Sequence, residues 1–356
     1  MRRLILVLLA LALVAAACGN DDATPNGDGT TTSAARRAVT VDLLAHASFV
    51  VPQAALDEFT ATTGIAVNVL TGDDAGTVTN QVILDREHPQ ADVVFGIDNT
   101  YLGKALAADV FAVDEHDVTA LAPDLVAGLD TERVVPVDYG DVCLNYDIAW
   151  FAAEGLEPPD ALSDLVDPAY EGLTVVEDPS TSSPGLAFLL ATTRATGDWE
   201  AYWERLRDND VLVVSGWEEA YTVEFSGGGG GGARPIVVSY ASSPPADVIY
   251  SDPPRDAPAI GVVDDGCFRQ VEYAGILAGT DDPDAAARVI EFLLSEPFQT
   301  EVPLGMFVFP ARVDTPLPDV FERFALHASA PVTIDAATID AERDDLLERW
   351  TEIVLS

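Results

Sequence analysis

Val134-Val135-Pro136-Val137-Asp138-Tyr139-Gly140-Asp141-Val142-Cys143-Leu144-Asn145-Tyr146 sets two short β-rich runs on either side of Gly140. A strand over Val134–Val137 runs into the glycine and another leaves it over Val142–Tyr146, which predicts that the chain passes from one body to another at Pro136–Gly140. A second passage is expected near Gly266–Val271, where a Gly and a Cys precede a new apolar run. Two passages between the same two bodies make the hinge of a two-lobed clamshell. This reading assigns residues 39–138 plus about 268–315 to one lobe, 140–265 to the other, and 316–356 to a C-terminal helical segment.

On either side of this stretch, strands are expected at Val39–Leu44, Ile65–Leu70, Asp92–Ile97, Leu173–Val176, Val211–Val214 and Ile236–Tyr240. Helical stretches lie between or beside them at Val50–Thr62, Thr77–Arg86, Pro184–Ala195, Trp199–Asp208 and Trp217–Phe225, with two more at Asp284–Leu294 and Ala337–Val354. In the last of these Leu346, Leu347, Trp350, Ile353 and Val354 share one apolar face. Strands alternating with helices imply an α/β fold with mostly parallel pairing. The six glycines Gly227–Gly232 read as a flexible loop, since no Lys-Ser/Thr follows them as a phosphate cradle would require.

The chain begins with Arg2 and Arg3, an apolar run from Leu4 to Val14, and Ala15-Ala16-Ala17-Cys18. A basic start, a short apolar core and small residues before a cut site form a secretory signal over residues 1–17. The run is shorter than the ~20 apolar residues that span a bilayer. Cys directly after the small residues is the lipoprotein form, in which Cys18 is acylated, although Ala15 stands where many such signals carry Leu. Residues 18–38 are Asp, Thr, Gly, Ser, Asn and Ala without apolar periodicity, and read as a flexible tether. An exported protein, lipid-anchored to the outer face of the cytoplasmic membrane, is the expectation.

Net charge is −42 and 48% of residues are hydrophobic, so cores are ample and nucleic-acid binding, which needs clustered Lys and Arg, is excluded. The acidity serves solubility or a saline habitat, or it helps to draw in a cation. With Cys18 acylated, Cys143 and Cys267 are an even pair in an oxidising compartment, where a disulfide is the default and two buried thiols the alternative. Both sit beside the expected crossovers, so a bond would pin the hinge.

Chemistry is scarce. The four histidines, His46, His88, His116 and His327, show no zinc-helix spacing, and no close Cys pair or G-x-S-x-G elbow occurs. No catalytic residue, metal site or cofactor is assigned. Binding signals are better. Asp178-Pro179-Ser180-Thr181-Ser182-Ser183-Pro184-Gly185 leads into an apolar helix, with Ser183 as N-cap and Pro184 as first helical residue. That terminus serves ordinary capping or offers N–H groups to a hydroxyl, carboxylate or phosphate. Trp217, after Gly216 at a helix start, is core or a stacking platform. Ser239-Tyr240-Ala241-Ser242-Ser243-Pro244 ends a strand with hydroxyls and an aromatic at the edge where α/β ligands sit.

Together these motifs resemble the thiamine-binding proteins of bacterial ABC importers, from about Val39 to the C-terminus. Ala91–Asn99, Val135–Gly140, Asp178–Gly185, Gly216–Tyr221 and Ser239–Pro244 carry the resemblance in order, followed by Gln270-Val271-Glu272 and Phe298-Gln299. It implies the type II periplasmic-binding-protein clamshell, with mixed sheets and two hinge crossovers, shared with ferric-iron and polyamine binders. It places the ligand, thiamine or a thiamine phosphate, against Asp74 and Ala75, against Ser182 and Ser183 at its hydroxyethyl or phosphate end, and against Trp217 and Tyr240, Ala241, Ser242 and Ser243 at its rings. His46 replaces a Tyr of the family's well-known members, Ala246 an aromatic, and Phe307 a Trp. The implied partner is a membrane ABC permease, and the implied state a monomer. Another cation, such as a polyamine or ferric iron, and an exported hydrolase are the alternatives; the adjacent tyrosines that iron binders of this fold use are missing here.

Overall fold

The computed structural model describes residues 39–229 and 231–356. The signal, the tether and Cys18 lie outside the described residues. Nine strands among those described form one mixed sheet: β1 (Val39–Ala45), β2 (Ile65–Thr71), β3 (Val93–Asp98), β4 (Val135–Asp147), β5 (Thr174–Glu177), β6 (Leu212–Val214), β7 (Ile236–Tyr240), β8 (Ile260–Ile276) and β9 (Phe309–Pro310). The order is β2-β1-β3-β8-β4-β7-β5-β6, with β9 added to β4.

Pairing is parallel at both flanks, β2-β1-β3 and β7-β5-β6, and antiparallel at the centre, where β8 meets β3 and β4 meets β7 and β8. The flanking strands follow the βα alternation of the sequence. Helices cover both faces there, so β3 is buried along its whole length. The centre departs from the mostly parallel expectation because two long strands link the flanks.

Those strands are the two passages. The runs Val134–Val137 and Val142–Tyr146 are parts of the single thirteen-residue β4, and the apolar run after Gly266 is the second part of the seventeen-residue β8. They pair from Val135–Ala274 to Asp147–Ile260, with register shifts between Pro136 and Asp138 and between Val142 and Leu144. At the second shift Cys143 stands alone opposite Asp264-Asp265-Gly266-Cys267. Gly266 has φ +66°, and a Cβ there would also run into Leu162, so glycine is required in this bulge. Cys143 and Cys267 are joined across it, Cα to Cα 4.4 Å.

Helix positions follow the sequence closely. Asp198 and Asp282 accept N–H groups of Ala201 and Ala285, fixing the starts of Trp199–Asp208 and Pro283–Leu293. The helix Trp217–Phe225 is instead a short α-turn, Trp217–Glu219, continued by a π-turn, Ala220–Glu224. Of the glycine loop, Gly228 and Gly232 pack so closely on Tyr221 and Glu224 that a Cβ would overlap their backbone atoms. Those two positions are tightly seated.

The C-terminal helix Ala336–Val354 lies on Trp199–Asp208 and on Leu102–Ala107. Trp350 is fully buried, edge-on to Trp203 at 5.6 Å. Arg207 donates to the Ile353 carbonyl at 2.7 Å, and Arg349 pairs with Glu200 at 2.9 Å. Gly103 sits where a Cβ would press on Asp340. This helix therefore touches elements that follow β3 on one flank and β5 on the other.

Candidate functional site

A cavity of about 200 Å³ opens where the loops at the strand ends of the two flanks face each other. From the β2-β1-β3 side it receives His46, at the end of β1, with Asp74 and Ala75 at the start of the helix Ala75–Leu84, and Phe307. From the β7-β5-β6 side come Ser183, Trp217, Tyr240 and Ser243. Eight of the eleven expected ligand residues thus line one cavity.

The other three do not. Ser182 is fully buried and caps the helix Ser183–Ala195 through its hydroxyl, which accepts the Gly185 N–H at 3.4 Å. The cap is therefore one residue earlier than expected, with Ser183 the first helical residue and Pro184 the second. Ala241 is turned into the small cluster around Cys143 and Cys267, and the Ser242 hydroxyl is buried without a partner. Lining residues outside the expected set include Tyr221, Ala246, Gln270, Glu272 and Met306.

Asp74 ties the two sides together. Its Oδ1 accepts the Ala75 N–H at 2.7 Å as a cap and the Ser183 N–H at 3.2 Å from the opposite side. Its Oδ2 accepts the Trp217 N–H at 3.1 Å. Both distant donors are first residues of helical segments, whose N–H groups have no partner within the segment. At the Ser183 terminus, which the sequence leaves open between ordinary capping and a ligand group, the N–H is taken by this carboxylate. Burial pushes Asp74 above the usual carboxylate range, while the donors from Trp217, Ser183 and Ala75 pull it back. Close approach here rests on Gly76, where a Cβ would lie 2.6 Å from the Thr181 carbonyl and 2.6 Å from the Tyr101 hydroxyl.

One wall is aromatic. Trp217 stacks on Tyr221 at 5.0 Å with planes 18° apart, and Tyr240 stands edge-on to it at 6.4 Å. Trp217 is fixed by its indole N–H on Ser239 Oγ at 2.9 Å, and Tyr240 by its hydroxyl on Gln270 Oε1 at 3.0 Å. Phe307, in the left-handed region at φ +57°, meets the exposed Tyr250 edge-on at 5.9 Å across the opening. A non-glycine residue held there is strained, a condition that clusters at binding sites.

The floor is acidic. Glu272 lines the cavity and pairs with His46 at 3.2 Å, ionic rather than aligned as a hydrogen bond. Behind them lie Asp138, with both carboxylate oxygens buried and unpartnered, and Asp98, whose Oδ1 accepts both the N–H and the hydroxyl of Thr100. Burial and then the charge of Glu272 push Asp138 far above the usual carboxylate range. Burial pushes Asp98 up to about 7. Burial also lowers His46, but Glu272, with Asp74 and Asp98, more than reverses this and leaves it above its ordinary value. Among the described residues no group of three or more His, Cys, Asp or Glu is arranged to hold a metal ion.

Residues 88–328 match the family described as bacterial extracellular solute-binding protein. A thiamine-binding periplasmic protein of Escherichia coli is 29% identical over 283 residues, 79% of this chain and 82% of that protein. One from Brucella suis is 30% identical over 262 residues, 72% of this chain and 73% of that protein. A solved structure titled periplasmic thiamin binding protein superposes with a TM-score of 0.77 at 25% identity, covering 88% of this chain and 96% of that one.

Proposed function

The chain belongs to the bacterial extracellular solute-binding proteins, and from that premise we propose that it captures thiamine, or a thiamine phosphate, and hands it to an ABC importer. It is a binding protein of the type II clamshell fold and not an enzyme. The observation that carries the ligand is the pairing of an aromatic wall, Trp217 with Tyr221 and Tyr240, and an acidic floor, Glu272, in one cavity. Thiamine carries a permanent positive charge on a flat ring. Burial of that charge calls for an aromatic face and a carboxylate together. Since Asp74 already fills the N–H groups of Ser183 and Trp217, the hydroxyethyl arm suits this end better than a phosphate, which would compete with that carboxylate.

Ferric iron fits less well, because iron favours a compact set of oxygen and nitrogen ligands and no such group is present among the described residues. A polyamine would find both the carboxylates and the aromatic face it wants here, so it is the cation against which thiamine is to be compared. In the transport cycle, residues 39–138 with about 268–315 form one lobe and 140–265 the other, and closing them on the ligand makes the surface that the permease reads. The Cys143–Cys267 bond holds β4 to β8 beside the crossing, so it fixes the pivot and leaves the lobes free. Cys18 tethers the protein, as a monomer, to the outer face of the membrane. Melting the purified protein with and without millimolar thiamine tests the ligand: a rise in melting temperature supports it, and no shift refutes it.

A further inference from the structure

The acidic floor contains more acid than the ligand's single charge needs. Glu272 from β8, Asp138 from β4 and Asp98 from β3 converge within a buried region, and His46 from the end of β1 pairs with Glu272 and feels the charge of Asp98. Asp74, from the loop before the helix Ala75–Leu84, faces the same imidazole, and Phe95 of β3 packs on its ring at 5.5 Å. Tyr240 from β7 and Gln270 from β8 close the group, neutral and hydrogen-bonded to each other. Of these carboxylates, Glu272 alone both lines the cavity and pairs with the imidazole; Asp138 and Asp98 do not line it.

We propose that Glu272 is the counter-ion that selects a positively charged ligand, and that His46 holds its place as a protonated partner until the ligand displaces that proton into solvent. This rests on the reading that the ligand is cationic thiamine. In the empty site the pair His46–Glu272 is neutral overall, which avoids an uncompensated carboxylate in a half-closed cavity. A quaternary ring nitrogen arriving beside Glu272 supplies the same charge without a proton. Two cations beside one carboxylate repel, and only the imidazole is able to become neutral. The ligand gains the ion pair, water gains the proton, and the charge of the site is unchanged. Asp138 and Asp98 do not line the cavity, so Glu272 is the one of the three floor carboxylates that meets the cation directly.

The sign follows. Protonated His46 opposes the ligand, so affinity falls as pH drops through the folded-state titration of His46, by at most about tenfold per pH unit for one proton. Titration calorimetry of the purified protein with thiamine, in two buffers of different ionisation enthalpy, counts the protons. We expect net proton release at pH 6.5, below the raised folded-state titration of His46, shrinking as pH rises through that titration. His46→Gln is expected to abolish both the release and the pH dependence, and to bind more tightly than the parent at pH 5.5. Glu272→Gln is expected to weaken thiamine at least tenfold while barely changing binding of the uncharged isostere in which carbon replaces the quaternary nitrogen.

No proton release by the parent protein, or release that persists in His46→Gln, overturns the exchange. Equal weakening of thiamine and its uncharged isostere in Glu272→Gln overturns the counter-ion role. Binding of thiamine with neither effect refutes this inference and leaves the thiamine reading standing, whereas no binding at all removes both.

Discussion

Asp74 Oδ2 accepts the backbone N–H of Trp217 at 3.1 Å across 143 positions of sequence. With the Ser183 N–H on Oδ1, one carboxylate from the β2 side holds two helix starts of the opposite side. The contact links the cap of one helix, the approach of the two flanks and the position of the stacking Trp217. Tyr101, whose hydroxyl donates to the Pro179 carbonyl at 2.9 Å, makes a second link close by.

Asp74→Ala removes that anchor and leaves the Ser183 and Trp217 N–H groups without their acceptor. Thiamine affinity is expected to fall by about 1–3 kcal/mol, the usual cost of orphaning buried donors. Calorimetry checks it, and an unchanged dissociation constant would show that Asp74 does not organise the closed site.

Trp217→Ala is expected to weaken thiamine by about 1–3 kcal/mol through lost cation–π and packing contact. Trp217→Phe keeps the stacking face but drops the bond to Ser239 Oγ, and is expected to lose less. Equal affinities for parent and Trp217→Ala would place the ligand elsewhere.

Asp98 gives a pH signature of folding rather than binding. Its ordinary value is 3.8 and its folded value about 7, with burial the main cause. Between these values the folded chain holds a proton that the unfolded chain has released, so stability falls as pH rises through that window. The penalty is absent below about pH 4 and complete above about pH 7. Asp98→Asn keeps an acceptor for Thr100 and carries no charge. It is expected to melt above the parent at pH 8, with the difference shrinking toward pH 4. A difference that does not vary with pH would contradict this account.

Much of this fold is written locally, and the central strands are not. Aspartates at caps and apolar faces gave helix limits to within a few residues, as at Trp199–Asp208. β4 carries Asp138, Asp141 and Asn145, all buried, inside its apolar pattern, and so reads as two strands around Gly140. Their partners are distant in sequence or missing: Asp141 meets Arg269 and the Ala328 N–H, Asn145 donates to the Tyr240 carbonyl, and Asp138 is buried without a partner and pushed far above the usual carboxylate range. The first part of β8 is hidden by Asp264-Asp265-Gly266, which spells a turn and folds as a bulge. In the site, the helix starts and the Trp were legible from local pattern. Glu272 belongs to the motif Gln270-Val271-Glu272 and not to the expected ligand residues, although a carboxylate between Val271 and Tyr273 in a buried run is a signal for it. Ser182, Ala241 and Ser242 share a motif with true lining residues, and backbone direction alone turns them away.

The Cys143–Cys267 bond closes a loop with a sequence separation of 124, for which chain entropy alone gives about 5 kcal/mol, against the about 2–4 kcal/mol that disulfides typically deliver. Replacing both with Ser is expected to lower the melting temperature by several degrees while leaving thiamine affinity within a factor of two. Intact mass with and without reductant checks the bond, and two free thiols in the untreated protein would rule it out.

The central claim is that the cavity between Asp74, Trp217 and Glu272 holds thiamine. Titration calorimetry of the purified protein with thiamine, set beside spermidine and ferric citrate, tests it most directly. The account predicts one site per chain, saturated by micromolar thiamine or less, with no heat of binding from the other two; tight binding of spermidine or iron, with none of thiamine, would contradict it.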